Sequence, residues 1–350
     1  MSKSKRKHRK KHNITYRKSY SPTVNRALVP RESNSRQSLI DCNNKRAFKL
    51  KEPLQISVHN KCYPYYHKEA IQFLLRNLAA NKHIDPEQII PPIQAQSNCW
   101  FNAMFVTFFV SDKGRKFFHF LRQLMIEGVQ QDGSTIPPKL RTAFALLNFG
   151  VDACLTGNEF AYELNTNRVI HQIYKSIPSS YKASYPAIVD VDKAGNPVLY
   201  YIGMINYLQN ESIQMLFMRA CNPTWRDDVM RDVQKREASM PHVIVLEFFE
   251  EVVSHYHDKP KTFSINGVTY ALDSAVVRDV DKQHFCATIT CEGKEYGYDG
   301  ASFHRLVPMK WKSHVNHAKE WSFEGTHNMD GTLMKWSFTK SYQLLMYYRI

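Results

Sequence analysis

The chain contains no Cys-x-x-Cys pair, no uncharged apolar run long enough to cross a bilayer, and no internal repeat. Each absence removes a class of protein. Cysteines at 42, 62, 99, 154, 221, 286 and 291 form an odd, scattered set. That pattern argues against a disulfide framework and against a cysteine-rich zinc site, so reduced thiols and no structural metal are expected. The missing span and a basic N-terminus without the apolar core of a secretory signal predict an intracellular protein, in cytoplasm or nucleus, with no membrane contact. Acid is absent from residues 1 to 31, which hold eleven Lys and Arg. Of the net charge of +15, only +4 remains once these are subtracted, so the basic character belongs to the tail.

What is present is enough apolar surface to fold. A length of 350 residues with 43% apolar and 13% aromatic residues can bury a sizeable core. Residues 1–50 are an exception, being basic, rich in Ser and Asn, and too poor in large apolar side chains to offset ordering entropy. They are expected to be a disordered tail. Its run of Lys5, Arg6, Lys7, Arg9, Lys10 and Lys11 suits an import receptor or nucleic acid through phosphate neutralisation, or simply solubilises the chain.

Residues 51–350 read as α+β, with a helical part over about 65–240 and a β part over about 241–350. Apolar spacing predicts helices over 69–80 and from Cys99 onward, and Ser111 caps a further helix over about 115–127. Within 129–240, helices are expected over 139–150, 165–177 and 226–238, with a strand over 198–205. After Pro241 the periodicity changes to that of strands: 242–249, 262–272 around an Asn-Gly turn, 275–278, 284–291 and 294–299 around Glu292-Gly293, and 341–350.

The stretch Gln94-Ala-Gln-Ser-Asn-Cys99 runs directly into a dense apolar helix, which places Cys99 at a helix N-terminus. Unsatisfied N–H groups there favour the thiolate. Cys99 is either a nucleophile or a small core residue. A cysteine hydrolase also needs an imidazole, a side chain to orient it, and donors for an oxyanion. His284 opens a β-hairpin and Asp299 closes its return strand, so antiparallel pairing brings the two close to opposite one another. Gln94 and Gln96, five and three residues before Cys99, offer carboxamides beside the Cys99 N–H.

Several boxes resemble the papain-like ubiquitin-specific proteases. They are Gln94-Ala-Gln-Ser-Asn-Cys-Trp-Phe-Asn102, Pro241-His-Val-Ile-Val-Leu-Glu-Phe248, Thr269-Tyr-Ala-Leu-Asp-Ser-Ala-Val-Val277, His284-Phe-Cys-Ala-Thr-Ile, Tyr296-Gly-Tyr-Asp299 and Tyr342-Gln-Leu-Leu-Met-Tyr-Tyr-Arg349. The resemblance implies a papain-like fold, a helical lobe packed on a C-terminal antiparallel sheet. It implies Cys99 as nucleophile, His284 as base, Asp299 as orienter and Gln94 at the oxyanion position. The implied activity is removal of ubiquitin or a ubiquitin-like modifier from lysine through an acyl-enzyme, with such conjugates as partners and no cofactor. The phrase Ser97-Asn-Cys-Trp-Phe-Asn, followed by Phe109-Val-Ser-Asp-Lys-Gly-Arg-Lys-Phe-Phe118, also resembles predicted cysteine peptidases of large DNA viruses. Two alternatives therefore stand beside it: a viral maturation protease acting on structural precursors, and a catalytically silent relative that binds ubiquitin or nucleic acid.

The chain departs from the family pattern at named positions. Gln94 replaces the usual Asn, the Gly-Asn-Thr before the cysteine is missing, Asp299-Gly replaces a pair of acids, and Gln283 rather than Gly precedes the histidine. The zinc-finger cysteines are absent, so 129–240 is expected to be a different insertion. His255, His257 and Asp258, and the histidines 304, 314, 317 and 327, fit no metal-ligand motif.

Overall fold

Alternate residues of the strands after Pro241 pack into two different hydrophobic clusters, so the sheet they form is covered on both faces. Val243, Val245, Val276, Ala287, Ile289, Leu344 and Met346 face the helices. Ile244, Leu246, Ala275, Val277, Cys286, Leu345 and Tyr347 face a second cluster containing Trp225, Trp311 and Trp336. This is the period-2 geometry of a strand, with apolar residues required at both phases. The computed structural model describes residues 54–191, 193, 195–211, 214–220, 224–235, 240–250 and 259–350. The tail residues Lys5, Arg6, Lys7, Arg9, Lys10 and Lys11, and the group His255, His257 and Asp258, lie outside the described residues.

A hairpin of β1 (Gln55–Val58) and β2 (Lys61–Pro64) opens the described chain, followed by α1 (Lys68–Ala80). Helices α2 (Cys99–Phe109), α3 (Asp112–Phe117), α4 (His119–Glu127), α5 (Pro138–Thr156), α6 (Thr166–Ser176), α7 (Ser179–Ser184) and α8 (Pro197–Tyr207) come next. Then β3 (Met215–Arg219), α9 (Trp225–Lys235) and β4 (Val243–Phe248) lead into the hairpins of β5 (Thr262–Ile265) with β6 (Val268–Arg278) and of β7 (Phe285–Cys291) with β8 (Lys294–Tyr298). The remainder is β9 (Leu306–Pro308), β10 (Glu320–Trp321), β11 (Trp336–Ser337) and β12 (Gln343–Arg349).

The main sheet has eight strands in the order β3-β4-β12-β6-β7-β8-β9, with β5 paired to β6. The expected antiparallel sheet is in fact mixed, because β3 runs parallel to β4. Asn266 and Gly267, at φ 49° and 75°, and Glu292 and Gly293, at φ 47° and 71°, make the two tight hairpins. Positive φ at both central residues matches the right-handed twist of the flanking strands. The expected strand at 275–278 is the continuation of β6 rather than a separate element.

Two expectations in the helical half are corrected. The predicted strand over 198–205 is helix α8: Pro197 fills its first turn and the Asn196 side chain accepts from the Leu199 N–H. Its sequence reads as a strand because nearly every face is buried; Tyr200 and Tyr201 pack on Phe101 of α2, and Tyr201 also on Phe108. The expected helix over 115–127 is two. Ser111 does cap the first of them, accepting from the Gly114 N–H at 3.1 Å, and the chain breaks at Phe118 before α4 begins.

Helix α2 is the hub of the helical half. Every residue from Trp100 to Phe109 is buried, and each large apolar side chain so buried contributes about 1.5–3 kcal/mol. It packs on β7 and β6 on one side and on α8 on the other. Among the described cysteines, Cys99, Cys154, Cys286 and Cys291 are free. Cys62, exposed on β2, is disulfide-bonded, which corrects the expectation of reduced thiols throughout. No helix among the described residues is long and apolar enough to cross a membrane.

Candidate active site

The helix start places Cys99 by burying everything after it, so only the first residue of α2 retains partial exposure. The loop before it is held by neutral amides and a hydroxyl. Asn98 accepts from the Ala95 N–H at 3.0 Å and donates to Thr166 Oγ1 at 2.9 Å. Thr166 in turn donates to Asn102 Oδ1 at 2.6 Å, and the Asn102 amide donates to the Ile93 carbonyl at 3.0 Å. Asn167 closes the set with a 2.7 Å bond to the Ala95 carbonyl. The Asn98 side chain is thereby turned away from the helix it precedes, and no side chain caps the first N–H groups of α2. Those N–H groups remain the local source of positive potential beside the sulfur.

Gln94 and Gln96 occupy the strained part of this loop. Gln96 is exposed at φ 56°, a left-handed conformation unusual for a residue with a side chain. Its carbonyl accepts a 2.7 Å bond from the Gln94 amide, which uses one of the two N–H groups of Gln94 and leaves Gln94 Oε1 buried with no partner.

Residues from the sheet complete the other wall. His284 stands just before β7, and its Nε2 lies 2.6 Å from Asp299 Oδ1, just after β8. Asp299 is fully buried. Its Oδ1 also accepts from the Ala301 N–H at 3.1 Å, and its Oδ2 accepts from the Thr326 hydroxyl. The Cys99 thiol lies beside the same imidazole, close enough to shift its titration. With Nε2 committed to Asp299, Nδ1 is the ring nitrogen left for the sulfur. Burial pulls the imidazole toward neutrality, but the hydrogen bond to Asp299 and the interactions with the Asp299 carboxylate and the neighbouring Cys99 outweigh it and raise His284 to about 10.

Asp279, which no sequence pattern singles out, fixes the backbone of His284. Its buried carboxylate accepts from the N–H groups of Asp281, Gln283 and His284 at 2.9, 2.6 and 2.5 Å. The Asp279 N–H donates back to the His284 carbonyl at 2.8 Å. Both main-chain groups of the histidine are therefore held by one residue.

The two walls are stitched together beside the site. The Gln94 N–H donates to the Gly300 carbonyl at 2.8 Å, Tyr298 Oη donates to the Pro92 carbonyl at 2.8 Å, and Arg305 hydrogen-bonds the Pro91 carbonyl. A Cβ on Gly300 would lie 2.9 Å from Gln94 N and 2.8 Å from Tyr298 Oη. That crowding leaves no room for a side chain at position 300 without movement of its neighbours.

The convergence therefore covers Cys99, His284 and Asp299, with Gln94 in the adjoining loop. Thr166, Asn167, Asp279 and Thr326 belong to the same constellation, and sequence reading missed them. A polar residue at the start of a helix, as at Asn165-Thr166-Asn167, is the only signal that could have drawn attention to the first two. Among the described residues no group of three or more His, Cys, Asp or Glu could hold a metal ion. His304 lies at the surface 3.6 Å from Glu324, and His314 packs on Trp321.

No protein-family model matches the chain, and no curated protein sequence matches it. Among solved structures, the SAGA Ubp8/Sgf11/Sus1/Sgf73 DUB module bound to monoubiquitin is similar at 9% identity and a TM-score of 0.42, over 76% of this chain and 70% of that one. The same module bound to ubiquitin aldehyde gives 10% identity and a TM-score of 0.39, over 76% and 70%. An essential yeast splicing factor gives 11% identity and a TM-score of 0.41, over 85% of this chain and 83% of that one.

Proposed function

We propose that this protein is a thiol-dependent hydrolase, and specifically a cysteine isopeptidase of the papain-like ubiquitin-specific protease type. The observation that carries the reading is the imidazole of His284 bonded to Asp299 and set beside the Cys99 thiol. In the proposed reaction the thiolate attacks the carbonyl of a Gly–Lys isopeptide. The N–H of Cys99 and the second N–H of Gln94 donate to the developing oxyanion. Protonated His284 gives its proton to the leaving lysine amine, while Asp299 holds the ring in the tautomer that keeps Nδ1 toward sulfur. Water, deprotonated by the now neutral imidazole, then hydrolyses the thioester and frees the modifier.

Support comes from chemistry and from the motifs. A helix-heading thiol with an oriented, cationic imidazole is poised for acyl transfer, and the boxes at 94–102, 284–289 and 296–299 resemble the family that performs it on ubiquitin. The test is a ubiquitin C-terminal electrophile offered to the full chain, alongside electrophiles built on ubiquitin-like modifiers. The expected result is a single adduct on Cys99 that is lost in Cys99→Ala. Labelling that survives this substitution removes Cys99 as nucleophile, and labelling by none of the modifiers removes the isopeptidase assignment.

A further inference from the structure

We propose that Thr326 is a positioning residue for the Asp299–His284 pair, so that the relay has four members rather than three. The inference rests on the hydrolase reading above. Asp299 is fully buried, and a buried carboxylate must have both oxygens satisfied to stay ionised. Oδ1 is supplied by His284 Nε2 at 2.6 Å and the Ala301 N–H at 3.1 Å. Oδ2 receives its hydrogen bond from the Thr326 hydroxyl. An ionised carboxylate only accepts, so Thr326 must donate.

The hydroxyl is itself held in place. Thr326 is 3% exposed, and its carbonyl accepts from the Met334 N–H at 3.1 Å. The neighbouring Glu324 carbonyl accepts from Ser302 Oγ at 2.9 Å and from the Phe303 N–H at 3.0 Å, tying this loop to the turn after Asp299. One side of the carboxylate thus faces the imidazole and the other a fixed donor, which sets its rotation about χ2. Without the hydroxyl, Oδ2 is a buried anionic oxygen with no donor, and the plane of the carboxylate is free to leave Nε2. The imidazolium that stabilises the Cys99 thiolate then loses its alignment.

The experiment compares Thr326→Val, which keeps the shape and removes the hydroxyl, with Thr326→Ser, which keeps the hydroxyl. Iodoacetamide modification of Cys99 at pH 6, followed by mass spectrometry on the full chain, reads thiolate reactivity without any assumed substrate. We expect Thr326→Val to slow modification by about tenfold, the usual order for a group acting through another, and Thr326→Ser to stay within about threefold of the parent. With a fluorogenic ubiquitin substrate the loss should fall on kcat and leave KM unchanged. In an Asp299→Asn background Thr326→Val should add nothing, because the two act in series. Thr326→Ala removes the same hydroxyl and replaces Thr326→Val if that variant fails to fold. Parental reactivity in Thr326→Val, equal losses in the Ser and Val variants, or additivity with Asp299→Asn overturns the proposal while leaving the hydrolase reading intact. A parent whose Cys99 is no more reactive at pH 6 than a free cysteine peptide overturns both.

Discussion

The helical half and the sheet half each bury a histidine, and the two are driven in opposite directions. His119 on α4 has lost its water, its Nε2 has no partner, and Arg122 one turn further on adds positive charge; it is lowered to about 4. His284 is as deeply buried but faces Asp299 and Cys99, and it is raised to about 10. Burial pulls both the same way, so the difference lies in the Asp299 carboxylate and the Cys99 side chain that meet one ring and not the other. The loops flanking the site differ in the same sense. Neutral groups at Asn98, Asn102, Thr166 and Asn167 hold the cysteine, whereas buried carboxylates at Asp279 and Asp299 hold the histidine. Carboxylates beside the sulfur would oppose the thiolate; carboxylates beside the imidazole favour the cation that accompanies it.

The most damaging way to erase this difference is to neutralise its charged side. Asp299→Asn should lower turnover by about 10²–10⁴-fold with little change in substrate binding; unchanged turnover would show that another residue orients His284. Asp279→Asn leaves three backbone N–H groups competing for one carbonyl oxygen. A loss of about 1–3 kcal/mol in denaturant stability and about a tenfold slower Cys99 alkylation are expected, and parental values in both would separate the loop from the site. On the neutral side, Thr166→Val should slow alkylation only about threefold and leave its pH dependence unmoved, because no charge is removed. A shifted pH profile would contradict the division drawn here.

The two histidines also give opposite pH signatures in stability. His119 is lowered in the folded state, so the unfolded chain binds more protons between pH 6.5 and 4, and stability falls as acid is added through that window. His242, also lowered to about 4, acts in the same direction, while Asp273, raised to about 6 by burial, opposes them. His284 is raised, so its contribution is complete below pH 6.5 and fades as pH climbs toward 10. Melting curves of His119→Gln against the parent should therefore diverge between pH 4 and 6.5, by on the order of 3 kcal/mol at most. Parallel curves would show that the lowered state of His119 is not what acid attacks.

Much of the site was legible because its signals are local. A cysteine before an apolar helix needs only the following eleven-residue element to be read. The His284 to Asp299 pairing needs only a tight turn and the register Ala287 opposite Tyr298. The supporting partners were not legible: Thr166 bonds Asn98 from 68 residues away, and Thr326 bonds Asp299 from 27. Common polar residues carry no mark of such meetings. Helix α8 was misread for a different reason, since a helix buried on nearly every side has lost the amphipathic period that distinguishes it from a core strand. Strand β3 is short, with mixed burial and no strict alternation, and so its sequence does not mark it as a strand.

The place of β12 in the sheet has a consequence for synthesis. Residues 343–349 pair with β4 on one side and β6 on the other, and among the described residues nothing earlier in the chain bridges those two strands. A ribosome that has released everything up to Tyr342 has therefore produced two strand groups, each with a bare hydrogen-bonding edge open to neighbours. Chains stopped before β12 should be the ones that recruit chaperones or clump, and insertion of this one strand is the step that closes both edges.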